Sequence, residues 1–313
     1  MERHLAIRKL SRLGNEFYLR ASLAVMDLTP GQYERGIVAL LLLKRCAPDW
    51  IEGRRIRRPR DIARTSSIKA VATSLGRPYP TINRHFHKMI ADGLCVETEQ
   101  GYAISNTEAN EPRVVRLLTT AHDSLVRLAE DIAAGLGLHR TDGKPTPELV
   151  TLTIAAALDM WLVPFEYARK PVTDWTSKLV WLAIIVANVR HITDDPELSE
   201  RWAYDTVPDH HRVPMTVRTI AGITRLSYGT VFRHCRQLEA QDVIHYDRGG
   251  WLLESRQLLS EDVDQNMRDI LGYYTRRLNE LSAAAFDTGN PDAFYLGPRP
   301  EHVCVPPDRP SRK

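Results

Sequence analysis

Residues 67–105 read SIKAVATSLGRPYPTINRHFHKMIADGLCVETEQGYAIS, and residues 216–254 read TVRTIAGITRLSYGTVFRHCRQLEAQDVIHYDRGGWLLE. The two stretches align without a gap at an offset of 149. Identical pairs are Ala72/Ala221, Tyr79/Tyr228, Thr81/Thr230, Arg84/Arg233, His85/His234, Ala91/Ala240 and Gly101/Gly250. Apolar character is kept at Val71/Ile220, Ile82/Val231, Met89/Leu238, Leu94/Val243, Tyr102/Trp251 and Ile104/Leu253. A gapless match that also preserves the apolar positions argues for an internal duplication.

Each copy reads as helix, turn, helix and a short hairpin. In the first, residues 68–75 form a short helix and Gly76-Arg77-Pro78 the turn. Proline is tolerated there because the first N–H groups of a helix have no intrahelical partner. Residues 79–91 form the second helix, with Ile82, Phe86 and Met89 on one face at i, i+4, i+7 and expected to pack inward. Tyr79, Thr81, Asn83, Arg84, His87 and Lys88 are left for solvent or a ligand. Asp92-Gly93 ends the helix, glycine permitting the left-handed turn. Leu94-Cys95-Val96 and Tyr102-Ala103-Ile104 then flank the polar turn Glu99-Gln100-Gly101. In the second copy residues 228–240 are the helix and 247–250 the hairpin turn, with Asp242 where the first copy has glycine.

Outward from the repeats, apolar helical runs at 37–43 and 179–186 precede each copy, and longer helices are expected at 5–26 and 147–168. Helix-period segments follow, marked by Val114, Leu117, Leu118, Leu125 and Leu128, and by Val263, Met267, Ile270, Leu271, Tyr274, Leu278 and Leu281. Residues 139–147, with Gly143, Pro145 and Pro147, read as a turn-rich linker. From Asp287 the prolines multiply, and a disordered tail is expected. The expected division is 1–110 for the first module with its N-terminal helix, 111–174 a helical linker region, 175–256 the second module, 257–286 a C-terminal helix and 287–313 the tail. The expected fold is mainly α, with long flanking helices and two short hairpins.

Thr81-Ile82-Asn83-Arg84-His85-Phe86 and Thr230-Val231-Phe232-Arg233-His234-Cys235, each leading into a hairpin, resemble the recognition helix of bacterial winged helix-turn-helix transcription regulators of the MarR, ArsR and GntR type. The likeness covers about 75 residues in each half and singles out no subfamily. It implies two tandem winged helix-turn-helix modules whose second helices enter the major groove while the hairpins act as wings. The reading role passes by that resemblance to Thr81, Asn83, Arg84, His87 and Lys88, and to Thr230, Phe232, Arg233, Arg236 and Gln237. Tyr79 and Tyr228 open the two helices, and Arg248 sits in the second wing turn. The first wing turn carries Glu99 and is not basic.

Composition neither demands nor forbids a nucleic-acid partner. The net charge over 313 residues is only +3, so a phosphate-binding face must come from local distribution. Arg54, Arg55, Arg57, Arg58, Arg60, Arg64, Lys69, Arg77, Arg84 and Lys88 face only Asp61 in sequence. Arg212, Arg218, Arg225, Arg233 and Arg236 have no acid between them. Such runs suit counterion release on DNA. Arg57 and Arg58, just ahead of the first copy, read either as a DNA-contacting arm or as a solvated loop. Arginine can pair bidentately with guanine, asparagine with adenine, and phenylalanine can meet a thymine methyl. The two helices, with Asn83 against Phe232, are therefore expected to read different half-sites.

The expected partner is double-stranded DNA, with a homodimer through the long helices as a further possibility and no membrane. The opening residues lack the apolar run of a leader. The longest apolar stretches noted, 36–43 and 179–189, fall short of a bilayer span. Four scattered cysteines without CxxC spacing suit free thiols in a bacterial cytoplasm, at the nucleoid. His85 and His234 adjoin the apolar faces and read as packing residues. His210-His211 with His191 and Asp194 lack metal-ligand spacing, and Trp161, Trp175, Trp181 and Trp202 read as core. No phosphate loop, nucleophile elbow or paired metal ligands occur, so neither a cofactor nor enzyme activity is expected. The leading functional reading is a sequence-specific transcription regulator. A plasmid replication initiator with two winged helices, and a chromosome-organisation or adaptor protein that binds protein through them, stand as alternatives.

Overall fold

The computed structural model describes residues 6–136, 143–166, 174–258, 261–284, 286–287 and 289–303. The chain is mainly helical, and the strands among the described residues form three two-stranded antiparallel hairpins. In order it runs α1 (Ile7–Leu28), α2 (Tyr33–Cys46), β1 (Ile51–Glu52), β2 (Arg55–Ile56), α3 (Ile68–Ser74), α4 (Tyr79–Ala91), β3 (Cys95–Thr98), β4 (Gly101–Ile104) and α5 (Glu111–Leu136). Then follow α6 (Pro147–Glu166), α7 (Trp175–Asn188), α8 (Arg190–Asp194), α9 (Pro196–Arg201), α10 (Val217–Thr224), α11 (Tyr228–Glu239), β5 (Ile244–Asp247), β6 (Gly250–Leu253), α12 (Ser255–Leu258) and α13 (Glu261–Ala283).

The elements from α3 to β4 recur as α10 to β6 with every anchor displaced by 149. Ser67 caps α3 by accepting from the Ala70 N–H, and Thr216 caps α10 by accepting from Thr219. Each such cap satisfies one of the donors a helix start leaves unpaired. The hairpins share their register, with Cys95 opposite Ile104 and Ile244 opposite Leu253. Each also takes a third short pairing from the chain ahead of its first helix, Ser66 with Tyr102 and Met215 with Trp251. Two left-handed positions recur with different residues. Gly76 and Arg225 both have φ 58°, and Gly93 at 71° is matched by Asp242 at 55°. Aspartate is one of the few side chains that visits this region readily, which explains how Asp242 ends α11 without glycine.

The packing of the two halves is reciprocal. Helix α4 lies on α2, α2 on α7, and α7 on α11. The turn before α4 reaches the start of α7, where the Arg77 guanidinium stacks 4.4 Å from the Trp175 ring. The turn before α11 reaches the end of α1, where Arg225 pairs with Asp27. The ends of α2 and α7 hold their hairpins by equivalent bonds. Cys46 Sγ donates to the Arg64 carbonyl at 3.1 Å, and Asn188 Nδ2 donates to Val213 O at 2.7 Å and Trp251 O at 3.1 Å.

Helices α1, α5 and α6 pack together at the centre of the core. Helix α5 packs along α1 and α6, and Leu117, Leu118, Leu125 and Leu128 are all buried within the chain. These leucines therefore offer no face to a second copy. Helix α6 is apolar over Pro147–Phe165, long enough by composition to cross a bilayer, with 67% of that stretch buried inside the protein. It is longer than the apolar stretches weighed in the sequence. Part of the expected linker, residues 139–142, lies outside the described residues.

Of the expected tail, residues 289–303 are described and pack on the helices, whereas residues 304–313 lie outside the described residues. Phe294 is buried and packs on Phe286 with ring centroids 4.8 Å apart. The Leu296 and Gly297 N–H groups donate to the Asp123 carboxylate, both at 2.9 Å. His302 Nδ1 lies 2.9 Å from Glu16 Oε1, and Arg299 pairs with Glu130. Residues 289–303 are thus ordered against α1 and α5. Proline content signalled a segment that cannot be helical, but aromatic and charged anchors between the prolines tie it down.

Candidate nucleic-acid interface

Helix α4 buries Ile82, Phe86 and Met89 and turns its other face outward. Arg84, His87 and Lys88 are exposed, Thr81 and Asn83 are half-buried, and Tyr79 is 51% exposed. Helix α11 does the same with Val231, His234, Cys235 and Leu238 inside. Arg233, Arg236 and Gln237 are exposed, Thr230 is half-buried, Tyr228 is 60% exposed and Phe232 47%. The proposed reading residues therefore lie together on one face of each helix. Tyr79, Tyr228 and Phe232 are among the few large apolar side chains left exposed among the described residues.

The matched histidines stand behind these faces. His234 Nδ1 lies 2.8 Å from Ser177 Oγ on α7 and 3.4 Å from Asp174 Oδ1. Burial holds its basicity down, with Arg233 adding to the effect against Asp174. His85 is pushed down to about 4 by burial and then by Arg84, Arg35 and Lys88. His85 is thus neutral near pH 7, and His234 ties α11 to Ser177 of α7. Between the halves, Glu34 lies among Asp174, Arg77 and Arg84. Burial and Asp174 raise its pKa against the two arginines.

The basic runs are less free than the sequence suggests. Arg57 pairs with Glu52 across the β1–β2 hairpin, an element the sequence reading did not anticipate. Arg58 Nη2 lies 3.5 Å from Glu108 and its Nε 3.7 Å from Glu111, and Arg64 pairs with Asp49. Four carboxylates outside the run, Asp49 and Glu52 just before it and Glu108 and Glu111 far along the chain, thus meet a cluster that seemed to face Asp61 alone. In the second half Arg236 pairs with Glu239. Arg248 is held by Asp247 at 3.0 Å and by the carbonyls of Asp209 and Arg212 at 2.8 and 3.1 Å. It braces the second hairpin against the preceding loop and is only partly available to a ligand.

Among the described residues Lys69, Arg84, Lys88 and Arg218 have no ion-pair partner, and Arg233 Nη2 touches only His234 at 3.5 Å. Lys69 and Arg218 are a pair the sequence reading passed over. They occupy the second position of α3 and α10, 149 residues apart and both exposed. Aligning the repeats by charge as well as identity would have found them. Tyr246, 59% exposed on β5, is a further outward aromatic without counterpart, because Glu97 stands at its place in the first hairpin. Among the described residues no group of three or more His, Cys, Asp and Glu side chains could hold a metal ion. In comparison with known proteins, no family model, curated protein or solved structure matches the chain.

Proposed function

We propose that the chain is a sequence-specific regulator of transcription that binds double-stranded DNA through two winged helix-turn-helix units, with α4 and α11 as reading helices. The observation that carries this reading is the matched outer face of the two helices. Arg84 with Arg233, Thr81 with Thr230 and Tyr79 with Tyr228 all point outward, flanked by unpaired Lys69 and Arg218. An α-helix fits the major groove, and a basic side chain one turn from its start reaches base edges.

Helices α4 and α11 lie at the two ends of the packed series α4, α2, α7, α11, so one chain carries two separate outward faces. The two readers differ, Asn83 against Phe232 and Lys88 against Gln237, so the site is asymmetric.

Selection from a randomised duplex library tests the proposal. It should return one asymmetric sequence of about 15–20 base pairs, two half-sites one helical turn apart. In fluorescence anisotropy, Arg84→Ala and Arg233→Ala should each weaken that site by about 1–3 kcal/mol and relax one base position. No enrichment, or unchanged affinity in both variants, would end the reading. Genomic sites arrayed as repeats beside an origin would favour the initiator role instead. One observation favours a second reading: α11 exposes Phe232 and ties Arg236 to Glu239. On that reading the second unit binds protein while the first reads DNA. A footprint over a single half-site, abolished by Arg84→Ala and indifferent to Arg233→Ala, would establish it.

A further inference from the structure

A cleft opens where α1, the α7–α8 junction, the loop at 205–207 and α12 meet beside β6. Its interior space is about 80 Å³, several times what one water needs, and one side opens to solvent. Ile185, Val186, Val189, Val207, Leu258 and Met267 give the wall its apolar part, and Arg8, Arg190, Glu16 and Asp205 line it as well. Among them stands Arg12, only 9% exposed. Its guanidinium donates to the carbonyls of Trp202 at 2.7 Å and Ser199 at 3.0 Å. It has no carboxylate partner among the described residues, and its Nε is buried without any acceptor. The carboxylate nearest in sequence, Glu16, is already held by Arg20, Arg190 and His302. Arg212, 3% exposed, adds a second buried guanidinium with an unpartnered Nε, 3.4 Å from Asp209.

Burying a cation without a counter-charge is among the costliest things a fold can do. Burial alone brings Arg12 down to about 10, so it remains charged near neutrality. An uncompensated buried cation beside an aliphatic cleft has the pattern of a ligand pocket: apolar walls with a few placed polar groups. We infer that this cleft binds a small organic carboxylate with an aliphatic body, its carboxylate meeting Arg12 and its chain lying along Val189 and Val207.

The cleft also touches the second reading unit. Asn188, Val189 and Leu253 line it, and Asn188 bonds the hairpin at Val213, Trp251 and Leu253. A ligand there bears on the seat of α7, on which α11 rests, and so changes DNA affinity. This coupling rests on the DNA-binding reading; occupation of the cleft does not.

Titration calorimetry on the full chain tests the site with hexanoate, hexanamide and inorganic phosphate. Hexanoate should bind saturably at concentrations up to about 10 mM, ten times a weak Kd. Hexanamide and phosphate should each bind at least about tenfold more weakly, the first lacking the charge and the second the apolar body. Arg12→Met should abolish the preference for hexanoate over its amide. Thr206→Phe, which fills the cleft from its loop side, should block both and keeps the test sound if Arg12→Met does not fold. No saturable hexanoate binding, or phosphate binding as tightly, would overturn the site. Hexanoate should shift the DNA Kd in the unaltered chain and not in Thr206→Phe. Ligand binding with no such shift would overturn the coupling alone, whereas absent DNA binding beside normal hexanoate binding would overturn the DNA reading alone.

Discussion

Salt is the perturbation that best separates the basic residues seen in the sequence from those free in the fold. Arg54, Arg55, Arg60, Lys69, Arg84, Lys88, Arg218 and Arg233 lack a carboxylate partner among the described residues, whereas Arg57, Arg58, Arg64, Arg225, Arg236 and Arg248 each have one. Each phosphate neutralised contributes about −0.9 to the slope of log K against log salt. Eight free cations give a slope of about −7, or roughly a 20,000-fold loss of affinity between 50 and 200 mM salt. All fourteen would give about −12.6 and a loss of roughly forty million-fold. Fluorescence anisotropy on the selected duplex at five salt concentrations reads the slope directly. Lys69→Gln should lower it by about 0.9 and leave sequence preference untouched. A slope steeper than about −8 would refute the reasoning, because the paired arginines would then have left their carboxylates for phosphate.

Asn188→Ala orphans the buried Leu253 N–H, at about 1–3 kcal/mol, and gives up the bonds to the Val213 and Trp251 carbonyls, at about 0.5–1.5 kcal/mol each, so urea denaturation should show a loss of about 3–5 kcal/mol. Cys46→Ala gives up one bond to Arg64 and should cost less than about 2 kcal/mol; equal losses would deny the asymmetry of the two ties. Phe294→Ala should cost about 3–5 kcal/mol if the segment at 289–303 is part of the core, and a change within about 0.5 kcal/mol would return it to the status of a loose tail. His85 has a folded pKa near 4 against an ordinary 6.5, so its neutral form is the folded one. Its contribution is fully present above pH 6.5 and lost as pH falls toward 4. Replacing His85 by Gln should flatten that part of the stability profile, and an unchanged profile would show that another group carries it.

Much of the fold was legible because it depends on local rules. The spacing of Ile82, Phe86 and Met89 announced the buried face of α4, and Asp92-Gly93 its end. The offset of 149 carried that reading to α11, where Asp242 takes a left-handed conformation that glycine takes in the first copy. What escaped depends on contacts between remote residues. Glu52, Glu108 and Glu111 neutralise part of the arginine run from positions far along the chain or across a turn. Leu117 and Leu125 have the same spacing whether they meet a second copy or α1. Asp123, Glu130 and Glu16 give no sign in sequence that they hold residues 296–302. The outward face of each reading helix followed from period alone, but the pairing of Lys69 with Arg218 needed charge to be compared as well as identity.

The reciprocal contacts of α2 with α7, of Arg77 with Trp175 and of Arg225 with Asp27 have a consequence in mass action. Two reading heads on separate subunits exist as a pair only above the dissociation constant of their dimer. On the proposed function the peptide chain has already made that association, so the pair survives any dilution that leaves the fold intact. A cell could hold a handful of copies and keep every one competent. Each substitution would also alter one head rather than two, leaving the halves free to drift toward different sequences.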